Sequence, residues 1–175
     1  MMSGLRSARA GVCEVARLMK QERSAGIVVF YVDPNIPDRR EFLLLDYGRH
    51  WDYVKGHLNP GEDDASAAAR ELIEETGIER VDLIEGFAKE ITYFFRDRKS
   101  PKLVRKTVVF FLGRVFTRAV TLSDEHVGYT FLPFDETRRK LSYPSARKVL
   151  DQAEEKLLLM KTTPLLDLAP PPAKN

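Results

Sequence analysis

Cysteine is nearly absent: Cys13 stands alone, so no disulfide can form within the chain and no Cys-rich zinc cluster can be built. The three histidines, His50, His57 and His126, do not have zinc-ligand spacing. No stretch approaches the eighteen consecutive apolar residues of a membrane span. The start, MMSGLRSARAGVCEVARLMKQERSAG, has basic residues but lacks the continuous apolar segment of a secretory signal. The cytoplasm is therefore the expected compartment, and no membrane partner is expected. No internal repeat is visible. Charge of one sign is also missing, since 28 basic and 26 acidic side chains leave a net charge of +2, which says little about partners.

What is present fits one globular domain. Hydrophobic residues make up 43% and charged residues 31% of 175 residues, a soluble balance, and a chain of this length buries roughly 70% of its extended surface on folding. The charges are segregated. Residues 61–79 hold seven acids against Arg70, whereas residues 89–106 hold seven bases against Glu90 and Asp97. Brought together, these segments would make a cleft for a metal-complexed polyanion. The plain alternative is two solvated faces.

AGIVVFYV (residues 25–32) and EFLLLDY (residues 41–47) read as neighbouring strands, and HWDY as a short strand before a Gly/Pro loop. Residues 64–76 read as a helix: Asp63 or Asp64 caps it, Ala65, Ala68, Leu72 and Thr76 share a face, and Gly77 stops it. VDLIEGFAKEITYFFR and KTVVFFLGRVF are long strands around a basic loop. TLSDEHVGYTFLPF leads into a further strand, and Ser145 to about Met160 forms a helix with Leu150, Leu157 and Leu158 in its apolar stripe. The segment around VCEVARLMK is either a short helix or a flexible leader.

On the first helix Glu71, Glu74 and Glu75 stand at i, i+3 and i+4, a spacing at which side chains converge and like charges repel. An oxygen-only set of this kind suits Mg²⁺ or Mn²⁺. Arg70 is expected to point away from Glu71 and to pair with Glu62 or Glu74. A solvated acidic face remains the alternative from charge spacing alone.

The spacing is more specific. Gly56, five residues, Glu62, seven residues, then Arg70-Glu71-Leu72-Ile73-Glu74-Glu75-Thr76-Gly77-Ile78 resembles the Nudix box at every defining position. The resemblance implies an α/β fold, an α/β/α sandwich with a mixed sheet and a loop–helix–loop catalytic motif. It also implies hydrolysis of a nucleoside diphosphate linked to another group. Glu71, Glu74 and Glu75 would then be the metal-binding set with the Gly56 carbonyl, and Glu62 would pair with Arg70. Two or three Mg²⁺ (or Mn²⁺) ions would accompany substrate.

Over most of residues 24–160 the chain further resembles the asymmetric diadenosine tetraphosphate hydrolases. HWDYVKGHLNPGEDD carries over His50 and Lys55 as phosphate-side groups. KEITYFFRDRKSPKL carries over Tyr93 as an adenine-stacking ring, with Arg96 and Lys102 facing phosphates. LSDEHVGYTFL carries over Glu125, near the metals or the attacking water, and Tyr143 matches the second aromatic. Asp124 departs from the usual histidine, and the loop between Tyr93 and Lys102 is about two residues longer than usual. The resemblance implies cleavage of diadenosine tetraphosphate to ATP and AMP. The alternatives are a Nudix pyrophosphohydrolase of diadenosine penta- or hexaphosphate, 5′-triphosphate RNA, an inositol pyrophosphate or a damaged nucleoside triphosphate, and, from another class, a non-catalytic nucleotide-binding module. Nucleic acid is expected as a partner only through a 5′-phosphorylated end. The expected organisation is a leader over 1–23, the hydrolase domain over 24–162 and a proline-rich, disordered tail over 163–175.

Overall fold

The structure, a computed structural model, describes residues 19–36, 39–96 and 102–160. Within them run β1 (Lys20–Val32), β2 (Arg40–Asp46), β3 (Trp51–Asp52), β4 (Val54–His57), α1 (Asp64–Thr76), β5 (Val81–Arg96), β6 (Leu103–Val115), β7 (Gly128–Leu132), α2 (Phe134–Lys140) and α3 (Pro144–Met160). Residues 1–18 of the expected leader, the proline-rich tail and residues 97–101 of the basic loop lie outside the described residues, whereas residues 20–23, also expected in the leader, belong to β1.

The strands make one mixed sheet in the order β3-β2-β1-β6-β5, with β4 also on β1 and β7 also on β2. β1 and β6 are parallel; the other pairs are antiparallel. Ser24 to Phe30 are all buried, because β1 is central and has both faces covered, the situation in which a strand reads as one apolar run. Ala25, Ile27 and Val29 pack with Ala67, Ala68 and Leu72 of α1. Val28 and Phe30 pack with Val149, Leu150 and Leu157 of α3 on the other face. The result is the α/β/α sandwich.

One edge of β1 is shared: Ser24–Ile27 pair with β4, and Phe30–Val32 pair with β2. β4 therefore carries Lys55 and Gly56 to the half of β1 whose other edge holds Lys106 and Val108 of β6. That arrangement brings the acidic and basic segments to one end of the sheet.

α1 has its expected bounds. The Asp63 side chain accepts from Ser66 N at 2.9 Å, and Gly77, at φ 70°, donates its N–H to Ile73 O, a left-handed stop that favours glycine. Its buried stripe is Ala67, Ala68, Leu72, Glu75 and Thr76, so Ala67 replaces the expected Ala65. Other expectations also shift. β1 begins at Lys20, because the parallel ladder with β6 runs back to Lys20↔Val104 and satisfies backbone groups that no local apolar pattern announces. α2 is a helix that the sequence pattern did not announce, too short to show a helical period but with acids in its first turn and bases in its last, as the helix dipole favours. Leu158 of α3 is 51% exposed; one residue beyond Leu157, it is rotated off the buried face.

Candidate active site

Arg70 clasps the loop–helix–loop. Its Nε and Nη2 donate to the two Glu62 carboxylate oxygens, each at 2.9 Å, and Nη2 also donates to the His57 carbonyl at 2.9 Å. Glu62 accepts from Asn59 N at 2.8 Å, so the loop is tied to the helix through one guanidinium. The Glu62 carboxyl is held below its ordinary value, chiefly by Arg70 and then by that backbone bond. The expectation that Arg70 points away from Glu71 is corrected: Nη1 donates to Glu71 Oε1 at 2.8 Å and to Glu74 Oε2 at 2.9 Å. A fork with five donors on a long stem can reach a sequence neighbour as well as the residue one turn on.

The three helix carboxylates meet different surroundings. Glu71 lies against the backbone of β4, where a Cβ added to Gly56 would fall 1.8 Å from its carboxyl carbon; only glycine allows that approach. Glu74 has a side chain 58% exposed. Glu75 shares the buried face with Leu72 and is 5% exposed, its Oε2 accepting from Lys55 N at 3.2 Å. Burial pushes the Glu75 carboxyl up to about 8, Lys55 opposing and the Glu71 and Glu125 charges adding to the rise. His126 Nε2 lies 3.1 Å from Glu75 Oε1 without the alignment of a hydrogen bond, and both of its ring nitrogens lack a partner. Burial, with the Glu125 charge opposing, lowers the His126 pKa.

Glu71, Glu74, Glu75, Glu125 and Gly56 line one cavity of about 400 Å³. Among the described residues no three acidic or imidazole groups already converge as a ready cage, since the arginine fork engages Glu71 and Glu74. The donor set nevertheless fits a hard divalent cation: every candidate ligand is an oxygen, and the buried Glu75 lacks a full compensating charge.

A second cavity of about 600 Å³ is lined by Tyr93, Tyr143, His50 and Lys55, with Ile91 and Val108 among its apolar walls. Arg96, at the end of β5, and Lys102, before β6, are both exposed and line neither cavity. Tyr143 is held over the site because Trp51 N donates to Ser142 Oγ at 3.0 Å, and its ring lies 5.3 Å from His50. Burial, then Lys55, lowers the His50 pKa.

Among the lining residues that sequence reasoning missed are Tyr47, Asp52 and Lys106. Tyr47 stacks on His50 at 4.8 Å, meets His126 edge-on at 4.4 Å and carries Lys55 Nζ 4.0 Å above its ring. Asp52 pairs with Lys55 Nζ at 3.2 Å. Lys106 lines both cavities; burial, then the Lys55 charge, lowers its pKa. Lys106 was one base among seven, and strand alternation alone could have singled it out once its pairing with Tyr93 was known.

A mixed sheet between helices, with an acidic loop–helix–loop opening beside a basic, aromatic-lined cavity, defines an α/β/α protein with a carboxylate helix at the edge of a cationic cleft. The NUDIX domain family matches residues 21–153. The chain belongs to that family and is a Nudix hydrolase, for which membership implies a metal-dependent mechanism. It is 37% identical over 143 residues to the bis(5′-nucleosyl)-tetraphosphatase [asymmetrical] of Rattus norvegicus, covering 76% of this chain and 93% of the relative. An RNA pyrophosphohydrolase of Sulfurovum is 27% identical over 135 residues, covering 71% and 86%. Among solved structures, a C. elegans Ap4A hydrolase binary complex matches with a TM-score of 0.67 at 26% identity, over 78% of this chain and 98% of that one. Among the described residues no helix is long and apolar enough to cross a membrane.

Proposed function

We propose that the protein hydrolyses diadenosine tetraphosphate to ATP and AMP with Mg²⁺, or Mn²⁺ in its place, two or three ions accompanying the substrate. One observation carries the reading: the aromatic cavity and the carboxylate cavity share Tyr47, Lys55 and Lys106. A ligand with a flat base at one end and a phosphate chain at the other can lie across both. Similarity to asymmetric tetraphosphatases supports the same substrate class.

Glu71, Glu74 and Glu75, with the Gly56 carbonyl and Glu125, are the groups that would hold the ions. A divalent ion bound there would supply positive charge to phosphoryl oxygens and lower the pKa of water, so that the nucleophile gives up its proton more readily. Tyr93 and Tyr143 stack one adenine, which fixes how far along the chain the reacting phosphorus lies. Lys55 and Lys106 neutralise phosphate oxygens between base and carboxylates, and a His50 ring N–H can donate one hydrogen bond to the chain. Glu125, exposed and on the same cavity, takes the proton from the attacking water. A water oxygen–phosphorus bond forms, the bridging phosphorus–oxygen bond breaks, and the departing nucleotide leaves with the electron pair.

The direct test is turnover of diadenosine tetraphosphate in ¹⁸O-labelled water with mass spectrometry of the products. ATP plus AMP, with one label on one nucleotide, is expected. Two molecules of ADP would rule out the asymmetric cut, and a higher kcat/KM for 5′-triphosphate RNA would move the protein to the other relatives' substrate.

A further inference from the structure

The reach of sheet that joins the two cavities contains a buried hydroxyl, that of Ser24. Ser24 is 1% exposed, it lines the carboxylate cavity, and its Oγ has no hydrogen-bond partner among the described residues. A buried hydroxyl left this way destabilises a fold unless something else satisfies it.

The strand registers place it. Ile91, Val108, Ser24 and His57 are successive cross-strand partners over β5, β6, β1 and β4, so they share one face of the sheet. Ile91 and Val108 wall the aromatic cavity, whereas Ser24 and His57 wall the carboxylate cavity. On the same face the row to one side is Tyr93, Lys106 and Glu22, and the row to the other is Lys89, Phe110, Gly26 and Lys55. Ser24 therefore lies between the rows of the two lysines shared by both cavities, at the step where the wall changes from apolar to polar.

We infer that the Ser24 hydroxyl is a further substrate-binding group, donating a hydrogen bond to the phosphate chain where it passes between Lys55 and Lys106. This rests on the reading of the protein as a dinucleoside polyphosphate hydrolase. Ser24 is covered in the free protein, so forming this bond requires the side chains over it to part. The gain is then a charge-assisted hydrogen bond that the free protein lacks.

The test is Ser24→Ala, which removes the oxygen and little else. With diadenosine tetraphosphate and saturating Mg²⁺, KM is expected to rise about tenfold with kcat changed less than twofold, the pattern of a contact present in both ground and transition states. The Tm of the free variant should be unchanged or higher, and competitive inhibition by adenosine, which lacks phosphate, should be unchanged. An unaltered KM overturns the inference; so does a lowered Tm with intact kinetics, or an equal loss of adenosine inhibition. A wild-type protein that spares diadenosine tetraphosphate but cleaves another phosphoanhydride refutes the substrate reading instead. The Ser24→Ala comparison is then made on the compound cleaved, where an unaltered KM still overturns the role of Ser24.

Discussion

Glu75 shares its helix face with Leu72 and Thr76, so the fold sets a carboxylate where burial opposes its charge. Its pKa is pushed up to about 8, above the ordinary value of an unfolded chain. Ionisation thus begins in the unfolded state first, and the metal-free protein loses stability as pH rises from about 4.5 to about 8. Two outcomes follow. Glu75→Gln should raise the Tm of the metal-free protein at pH 8 and leave it nearly unchanged at pH 4, while lowering turnover by orders of magnitude. Mg²⁺ should raise the wild-type Tm more at pH 8 than at pH 6, and the variant's much less at either pH. Thermal melts across pH with and without the ion check both; a variant as destabilised at pH 8 as at pH 4 would refute the assignment.

Tyr143→Ala is expected to lower kcat/KM for diadenosine tetraphosphate by about 10- to 100-fold, the range for one lost base stack, whereas Tyr143→Phe keeps the ring and should cost less than about threefold. If the two variants lose activity equally, the hydroxyl matters and stacking is not the role of this residue.

At the scale of elements, α1 works only in combination with β4. At Gly56 the Glu71 carboxylate occupies the space of a missing side chain. Gly56→Ala should therefore push the Glu71 carboxylate aside, costing about 1–3 kcal/mol as overpacking does, and should abolish most activity. Denaturant unfolding and a rate assay measure the two effects. Full activity with unchanged stability would mean that the helix can shift off the strand at no cost. The helix itself was legible in sequence because its signals are local: a capping aspartate, an uninterrupted run and a terminal glycine. α2 was not assigned because seven residues carry no resolvable period. The beginning of β1 was invisible for a different reason, as Lys20–Arg23 become a strand only by pairing with a ladder more than eighty residues away.

At the scale of the whole molecule, one sheet carries both cavities, so their separation is fixed. The cut should be counted from the bound adenine, and diadenosine penta- and hexaphosphate should share one mononucleotide product with diadenosine tetraphosphate. Chromatography of products across the three lengths checks this; a product set that shifts with chain length would show that the substrate slides between the cavities.

Residue order alone determined the carboxylate helix, its terminal glycine and, through resemblance, the family and the pairing of Glu62 with Arg70, because each depends on spacings within about twenty residues. The candidate rings Tyr93 and Tyr143 could likewise be named through resemblance. Only the tertiary structure decided which side chains share a cavity, since that depends on strand register: one residue of slip would turn Lys106 and Ser24 to the opposite face. For the same reason Lys106, Tyr47 and Asp52 line the cavities while Lys102 and Arg96 do not. The rotation of α1 against the sheet, set by packing rather than by sequence spacing, likewise made Glu75 the buried member of three carboxylates that look alike in the chain.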